Sequence, residues 1–216
     1  MIINVNAQDV LDHKFGELGF RFMPTFSSLK ISTSTGGTTT GEVTLGYGVG
    51  GFLAFNFTDH VGVQGEVIYN SISQKFVESN VEHKIKLQYV NIPLLLSLNT
   101  GKSKPVNLNI SAGPQIGISV GSSIATSQSI SGDTLTIVAD PVFAVKRGDL
   151  GFAYGAGIDF GLNPAQTFRV GIGYRGVLGL LDISDQSRSV TTNSYYILDR
   201  TRIRTNAVYM GVSIMF

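Results

Sequence analysis

The sequence predicts an all-β fold: eight antiparallel strands in an up-and-down transmembrane barrel whose large apolar side chains point outward. Three observations carry that prediction: period-two alternation over most of the 216 residues, a charged fraction of only 14%, and connections that alternate short and long. An average soluble domain carries roughly 25% charged residues, so this chain has little with which to cover a water-facing surface. Its 26 glycines are about twice the usual share, and 43% hydrophobic residues argue against disorder. A net charge of +1 gives no electrostatic case for a nucleic-acid partner. Without cysteine there is no disulfide framework, thiolate metal site or thiol nucleophile.

At the start, Val5-Asn6-Ala7 before Gln8 looks like the end of an export signal. Residues 1–7 are read as its stump, 1–13 as an N-terminal tail, and 14–216 as the barrel domain. The first strand, 15–29, sets Leu18, Phe20, Phe22 and Phe26 against Glu17, Gly19, Arg21 and Thr25. The second, 43–57, alternates Val43, Leu45, Tyr47, Val49, Leu53, Phe55 and Phe57 with mostly small residues. In the third, 61–76, Val61, Val63, Val67 and Tyr69 oppose Gln64, Glu66 and Asn70.

The fourth, 83–99, fits least well. Ile85, Leu87 and Tyr89 share one parity, while Val90, Ile92, Leu94, Leu96 and Leu98 take the other. A β-bulge near Tyr89 would restore the facing; otherwise the upper part of this strand lies outside the apolar band. Strands at 106–121, 149–162, 167–183 and 201–216 complete the set, the last with Val208, Met210, Val212, Ile214 and Phe216 on one face. No run of 12 residues keeps helical spacing, and no apolar run approaches the 18 or so that a membrane-crossing helix needs.

Tight turns fall at 58–60, 100–105 and 163–166, rich in Asp, Asn, Gly and Pro. The connections near 30–42, 77–82, 122–148 and 184–200 are mostly longer and rich in Ser, Thr and Asn. Short turns on one end and long loops on the other are the pattern of an outer-membrane barrel. Within 122–148, TLTIVA and PVFAVK flank Asp140 and could form a small hairpin. A long outer loop is where a protein or surface ligand would bind; the equal alternative is a variable loop with no fixed partner.

Turning the apolar face toward lipid accounts for both faces, because closure pairs every backbone group in the membrane. Eight strands enclose an interior filled by side chains, whereas open porins need about 16 or more. The inward charges are Glu17, Arg21, Glu66, Asp159, Arg169 and Arg175. Asp159 and Arg169 flank the 163–166 turn and are expected to pair; Arg21 and Glu66 lie at similar depth. Buried ions need partners, so the six are read as a structural network that plugs the barrel; the functional alternative is a proton or ion path, or a carboxylate site.

Sharper motifs fail their context. Gly171-x-Gly173-x-x-Gly176 has the letters of a dinucleotide loop, but no helix follows it, so no nucleotide cofactor is expected. His13, His60 and His83 have no metal-ligand spacing. Two alternatives stand beside the main reading. One is a lipid-modifying barrel enzyme using His83 and a loop serine; the other is a soluble lipocalin-like carrier, against which the absence of Trp counts.

Three stretches resemble the PorT-like family of small outer-membrane β-barrel proteins common in Bacteroidetes: YVNIPLLL at 89–96, SAGPQIGISVG at 111–121, and GVSIMF at 211–216. The resemblance implies a bacterial outer-membrane barrel without catalytic residues, cofactor or metal, in contact with outer-membrane lipid. It also implies recognition of the segment ending at Phe216 by the barrel-assembly machinery. A role in protein secretion belongs to the family's name-giving member and does not follow from fold alone.

Overall fold

Alternating side chains make each strand two-faced, and a two-faced sheet with no free edge must close on itself. The computed structural model describes residues 14–32, 38–40, 44–78, 81–128, 141–142, 148–181, 195–196 and 200–216. Eight strands form the wall: β1 Gly16–Ser32, β2 Thr44–Asn56, β3 Val61–Glu78, β4 Val81–Asn99, β5 Val106–Gln128, β6 Gly148–Gly161, β7 Phe168–Gly179 and β8 Arg200–Met215. Each pairs antiparallel with its sequence neighbour, and β8 pairs with β1 to close the barrel. Thr38–Thr40 adds to the end of β1, and Pro141–Val142 pairs in parallel with Tyr195–Tyr196. The rest of the hairpin expected around Asp140, and the export stump, lie outside the described residues.

The stagger of the wall follows from its register. Stepping from Gly16 through Phe55, Val63, Leu96, Ala112, Tyr154, Gly176 and Asn206 returns to β1 at Phe26, ten residues higher. For eight strands that shear corresponds to a tilt of about 40°. Phe55, Phe57, Phe160, Phe168 and Phe216 are exposed on the wall near the short turns, and Tyr47 is exposed toward the other end. Tyr47 and Phe55 are eight residues apart on one strand, about 20 Å along the barrel axis at that tilt. That matches the apolar band of an outer-membrane barrel, roughly 25 Å tall with aromatic girdles.

Side-chain chemistry fixes the short turns. Thr58 Oγ1 accepts from the backbone N–H groups of His60 and Val61 at 3.1 and 3.0 Å. Asn163 Oδ1 accepts from Thr167 and Phe168 at 2.8 and 3.0 Å. Gly101 takes a φ of 151°, which a side chain would oppose. Gly16 and Phe216 exchange a pair of 2.9 Å backbone bonds, so β1 begins and the chain's last residue lies at this same end.

The irregularity near Tyr89 exists, but it does not restore the facing of β4. Gln88 pairs with Gly121 and Tyr89 with Ser119, so the extra residue is Val120 on β5. The parity of β4 never changes: Leu87, Tyr89, Pro93, Leu95, Ser97 and Asn99 are all buried, and Ile92, Leu94, Leu96 and Leu98 are exposed on the wall. Leu87 and Tyr89 are apolar because they pack inside the upper barrel.

Candidate functional site

The six inward charges all lie in the barrel interior, but they divide into two layers with different partners. Nearer the short turns, Glu17 on β1 is 3% exposed and meets Lys102 Nζ at 2.5 Å. Its other oxygen accepts from Ser213 Oγ on β8 at 2.7 Å. Lys102 comes from the 100–105 turn, which folds inward so that the lysine itself is buried. Among the contacts that hold that turn, Lys102 N–H donates to the Asp59 carbonyl at 3.1 Å, Ser103 Oγ to Asp59 Oδ1 at 2.7 Å, and Gly101 N–H to Asn107 Oδ1 at 3.1 Å. Sequence alternation gives no signal for Lys102, because a turn residue has no strand parity to read.

Arg169, 1% exposed, caps the same turn. Nη1 donates to the carbonyls of Lys102 and Lys104 at 2.9 and 3.1 Å; Nη2 donates to Lys104 again at 3.2 Å and to the Asp159 carbonyl at 3.4 Å. The expected Asp159–Arg169 side-chain pair is not made. In the register Asp159 stands opposite Gly171 on β7 and opposite Asn107 on β5, while Arg169 stands opposite Gly161. The carboxylate therefore accepts from Asn107 Nδ2 and Asn109 Nδ2 at 3.0 and 2.8 Å. The guanidinium lies one step nearer the turn and finds backbone oxygens first.

Halfway up, Glu66 on β3 is the centre of the second layer. Oε1 accepts from Arg21 Nη1 at 2.6 Å, from Arg175 Nη2 at 2.8 Å, and from Gln64 Nε2. Arg21 also donates to Gln64 Oε1 at 3.4 Å. Its guanidinium carbon lies 4.3 Å from the Phe52 ring centre and 4.6 Å from that of Tyr209. An Arg over an aromatic face gains a favourable electrostatic contact without a further anion. Tyr209 has room because Gly157 and Gly173 face it; a Cβ on Gly173 would sit 2.5 Å from its ring. Within the dinucleotide-like glycine pattern, Gly173 thus clears space for an interior aromatic, while Gly171 makes room for the Asp159 carboxylate and Gly176 for Tyr154 on the outer wall.

Above Glu66 is a small cavity of about 30 Å³ lined by Thr25, Asn70, Gln115, Thr205 and Arg175. A water needs roughly 10–15 Å³ by this measure, so the space holds one or two. Met23, Ile68 and Ile72 line it as well, and beyond it Leu87 and Tyr89 are buried. Among the described residues no group of His, Asp or Glu is arranged to hold a metal. His83 is placed by its backbone pairing with Phe76 and Thr126, and His13 lies outside the described residues.

An apolar outer wall, charges held inside, and a hydrogen-bond circuit with no edge define an integral outer-membrane β-barrel of eight strands. Residues 6–185 match the family described as "Outer membrane protein beta-barrel domain", and the chain belongs to that family, in the bacterial outer membrane. No curated protein sequence matches it significantly. Among solved structures, OprG of Pseudomonas aeruginosa is similar at 17% identity and a TM-score of 0.60, over 94% of this chain and 97% of that one. Neisserial surface protein A aligns at 14% identity and a TM-score of 0.47, over 92% and 97%. Ail of Yersinia pestis aligns at 18% and 0.44, over 93% and 99%. At such identities the likeness to OprG concerns the fold alone.

Proposed function

We propose that the protein is a non-enzymatic outer-membrane barrel, closed to solute flux, that presents its long connections as a binding surface outside the cell. The observation that carries closure is the second layer: Glu66 accepts from both Arg21 and Arg175 across the interior, with Phe52 and Tyr209 filling the space around them. Lys102 and Arg169 tie the 100–105 turn into the end below. A hydrated ion would have to displace buried, hydrogen-bonded charges, and leaving such a charge without its partner costs several kcal/mol.

The non-enzymatic reading is supported by how the carboxylates of the two layers are used. Glu17, Glu66 and Asp159 accept from fixed cations or amides, and a general base needs a substrate proton within reach. The PorT-like resemblance at 89–96, 111–121 and 211–216 supports a finer form of the proposal, an accessory role in protein secretion. Planar-bilayer recording tests closure: purified protein is expected to add no steady conductance, and sustained unitary steps would overturn it.

A further inference from the structure

The middle layer is not electrically balanced. Two guanidiniums, Arg21 and Arg175, answer the single carboxylate of Glu66, which leaves one positive charge in excess inside the wall. The layer below has no anion to spare. Glu17 is held by Lys102, and Asp159 lies beside Arg169, whose Nη2 reaches its backbone carbonyl at 3.4 Å. The next carboxylate up the interior, Asp149, stands six residues along β6 from Gly155, the residue opposite Arg175, roughly 20 Å away. The two guanidiniums also differ in how their own bonds are met. Arg21 donates to Glu66 and Gln64 and lies over the rings of Phe52 and Tyr209. Arg175 donates to Glu66 through Nη2 at 2.8 Å, but its buried Nε–H has no acceptor among the described residues. Glu66 Oε2 is buried as well and has no donor among them. Both Arg175 and Glu66 line the cavity of about 30 Å³ above the layer, and Arg21 does not.

A buried charge needs a partner of opposite sign, and a buried donor needs an acceptor. Water alone in the cavity would meet the second need and leave the excess charge in place. We infer that the cavity binds one small monovalent anion of the size of chloride, held by Arg175 Nε–H, with a water beside it. Asn70, Gln115 and Thr205 line the same space and add amide and hydroxyl donors without adding charge. The water gives one hydrogen to the anion and the other to Glu66 Oε2, so both unpartnered atoms are satisfied together. Size sets the ligand class. At roughly 10–15 Å³ for each water-sized occupant, the space takes a halide and one water, and it excludes phosphate, sulfate and organic acids. Leu87 and Tyr89 are buried above it and the guanidinium layer lies below. The anion is therefore taken up as the barrel closes and exchanges slowly afterwards.

The test refolds the whole protein into zwitterionic micelles with sodium bromide as the only salt, or with sodium gluconate, whose anion is too large for the cavity, at the same concentration. Crystals of the bromide-refolded protein are expected to show an anomalous-scattering peak within hydrogen-bond distance of Arg175 Nε. In solution the thermal midpoint, followed by far-ultraviolet circular dichroism, is expected to rise and saturate with bromide or chloride and not with gluconate. Arg21→Gln removes the excess charge without touching a residue that lines the cavity. That variant should lose most of the halide-dependent rise. Density beside Nε without an anomalous signal would mean water alone and would overturn the inference. So would equal midpoints in bromide and gluconate, or a full halide-dependent rise in Arg21→Gln. If Arg21→Gln does not refold, the anomalous peak and the halide dependence of the parent decide by themselves.

Discussion

The two charged layers of the interior find partners for their charges by different routes. Around Glu66 every charge is borne by a strand, and one carboxylate oxygen answers two guanidiniums. Around Glu17 and Arg169 one cation comes from a turn, and much of the bonding is to backbone carbonyls and neutral amides. Strand-borne charges are placed by the register and cannot withdraw without unpairing the wall. Turn-borne ones depend on the turn keeping its shape. The middle layer is thus the more rigid and the less forgiving of the loss of one member.

That contrast is broken most sharply at Glu66. Replacing it with alanine strands Arg21 and Arg175 in a buried site, and removing one partner of a buried pair typically costs about 3–5 kcal/mol. The compact band of E66A on unboiled gels should be lost at a much lower temperature than that of the parent, whereas E66Q, which keeps an acceptor oxygen, should fall between. An unchanged E66A would mean the layer contributes nothing to the wall. Lys102→Met is expected to act more mildly, at about 2 kcal/mol, the scale of one hydrogen bond to a charged group. Glu17 keeps Ser213, and a turn released from the Lys102 ion pair can open to let water reach it. Faster proteolysis within 100–105 in K102M, with no such change in E66Q, would separate the turn-borne layer from the strand-borne one.

The sequence makes the wall legible because a barrel has only two environments and alternation reports both. β2 runs from Thr44 to Asn56 where alternation places 43–57, and β8 from Arg200 to Met215 where it places 201–216. β5 runs seven residues beyond its expected end, to Gln128, since serines and threonines above the apolar band pair in a ladder as well as valines do. Parity alone misleads at Leu87 and Tyr89, because the upper interior is itself apolar and an inward residue there looks like an outward one. Phe52 was readable as an exception, an aromatic on the small-residue parity of β2. Partners are harder to read than faces. Which inward charge meets which depends on shear, and shear is set by pairings that no single strand reveals.

Asp159 and Arg169 give the finest test of that last point. They flank one turn, carry opposite charges and share a face, yet Asn107 and Asn109 take the carboxylate and the carbonyls of Lys102 and Lys104 take the guanidinium. Asp159→Asn should therefore cost only about 1 kcal/mol, an ordinary hydrogen-bond loss. Arg169→Met should cost more, since it uncaps a turn. In a double-mutant cycle on the unboiled-gel transition the two changes should add to within about 0.5 kcal/mol, because the contact between the two residues runs to the Asp159 backbone carbonyl, which the substitution leaves in place. A coupling well above that would restore the direct pair and place the two side chains closer than the register allows. Additivity would show that the end of the barrel is closed by a turn bound from above, with Asp159 organising asparagines beside it and Arg169 holding the turn down.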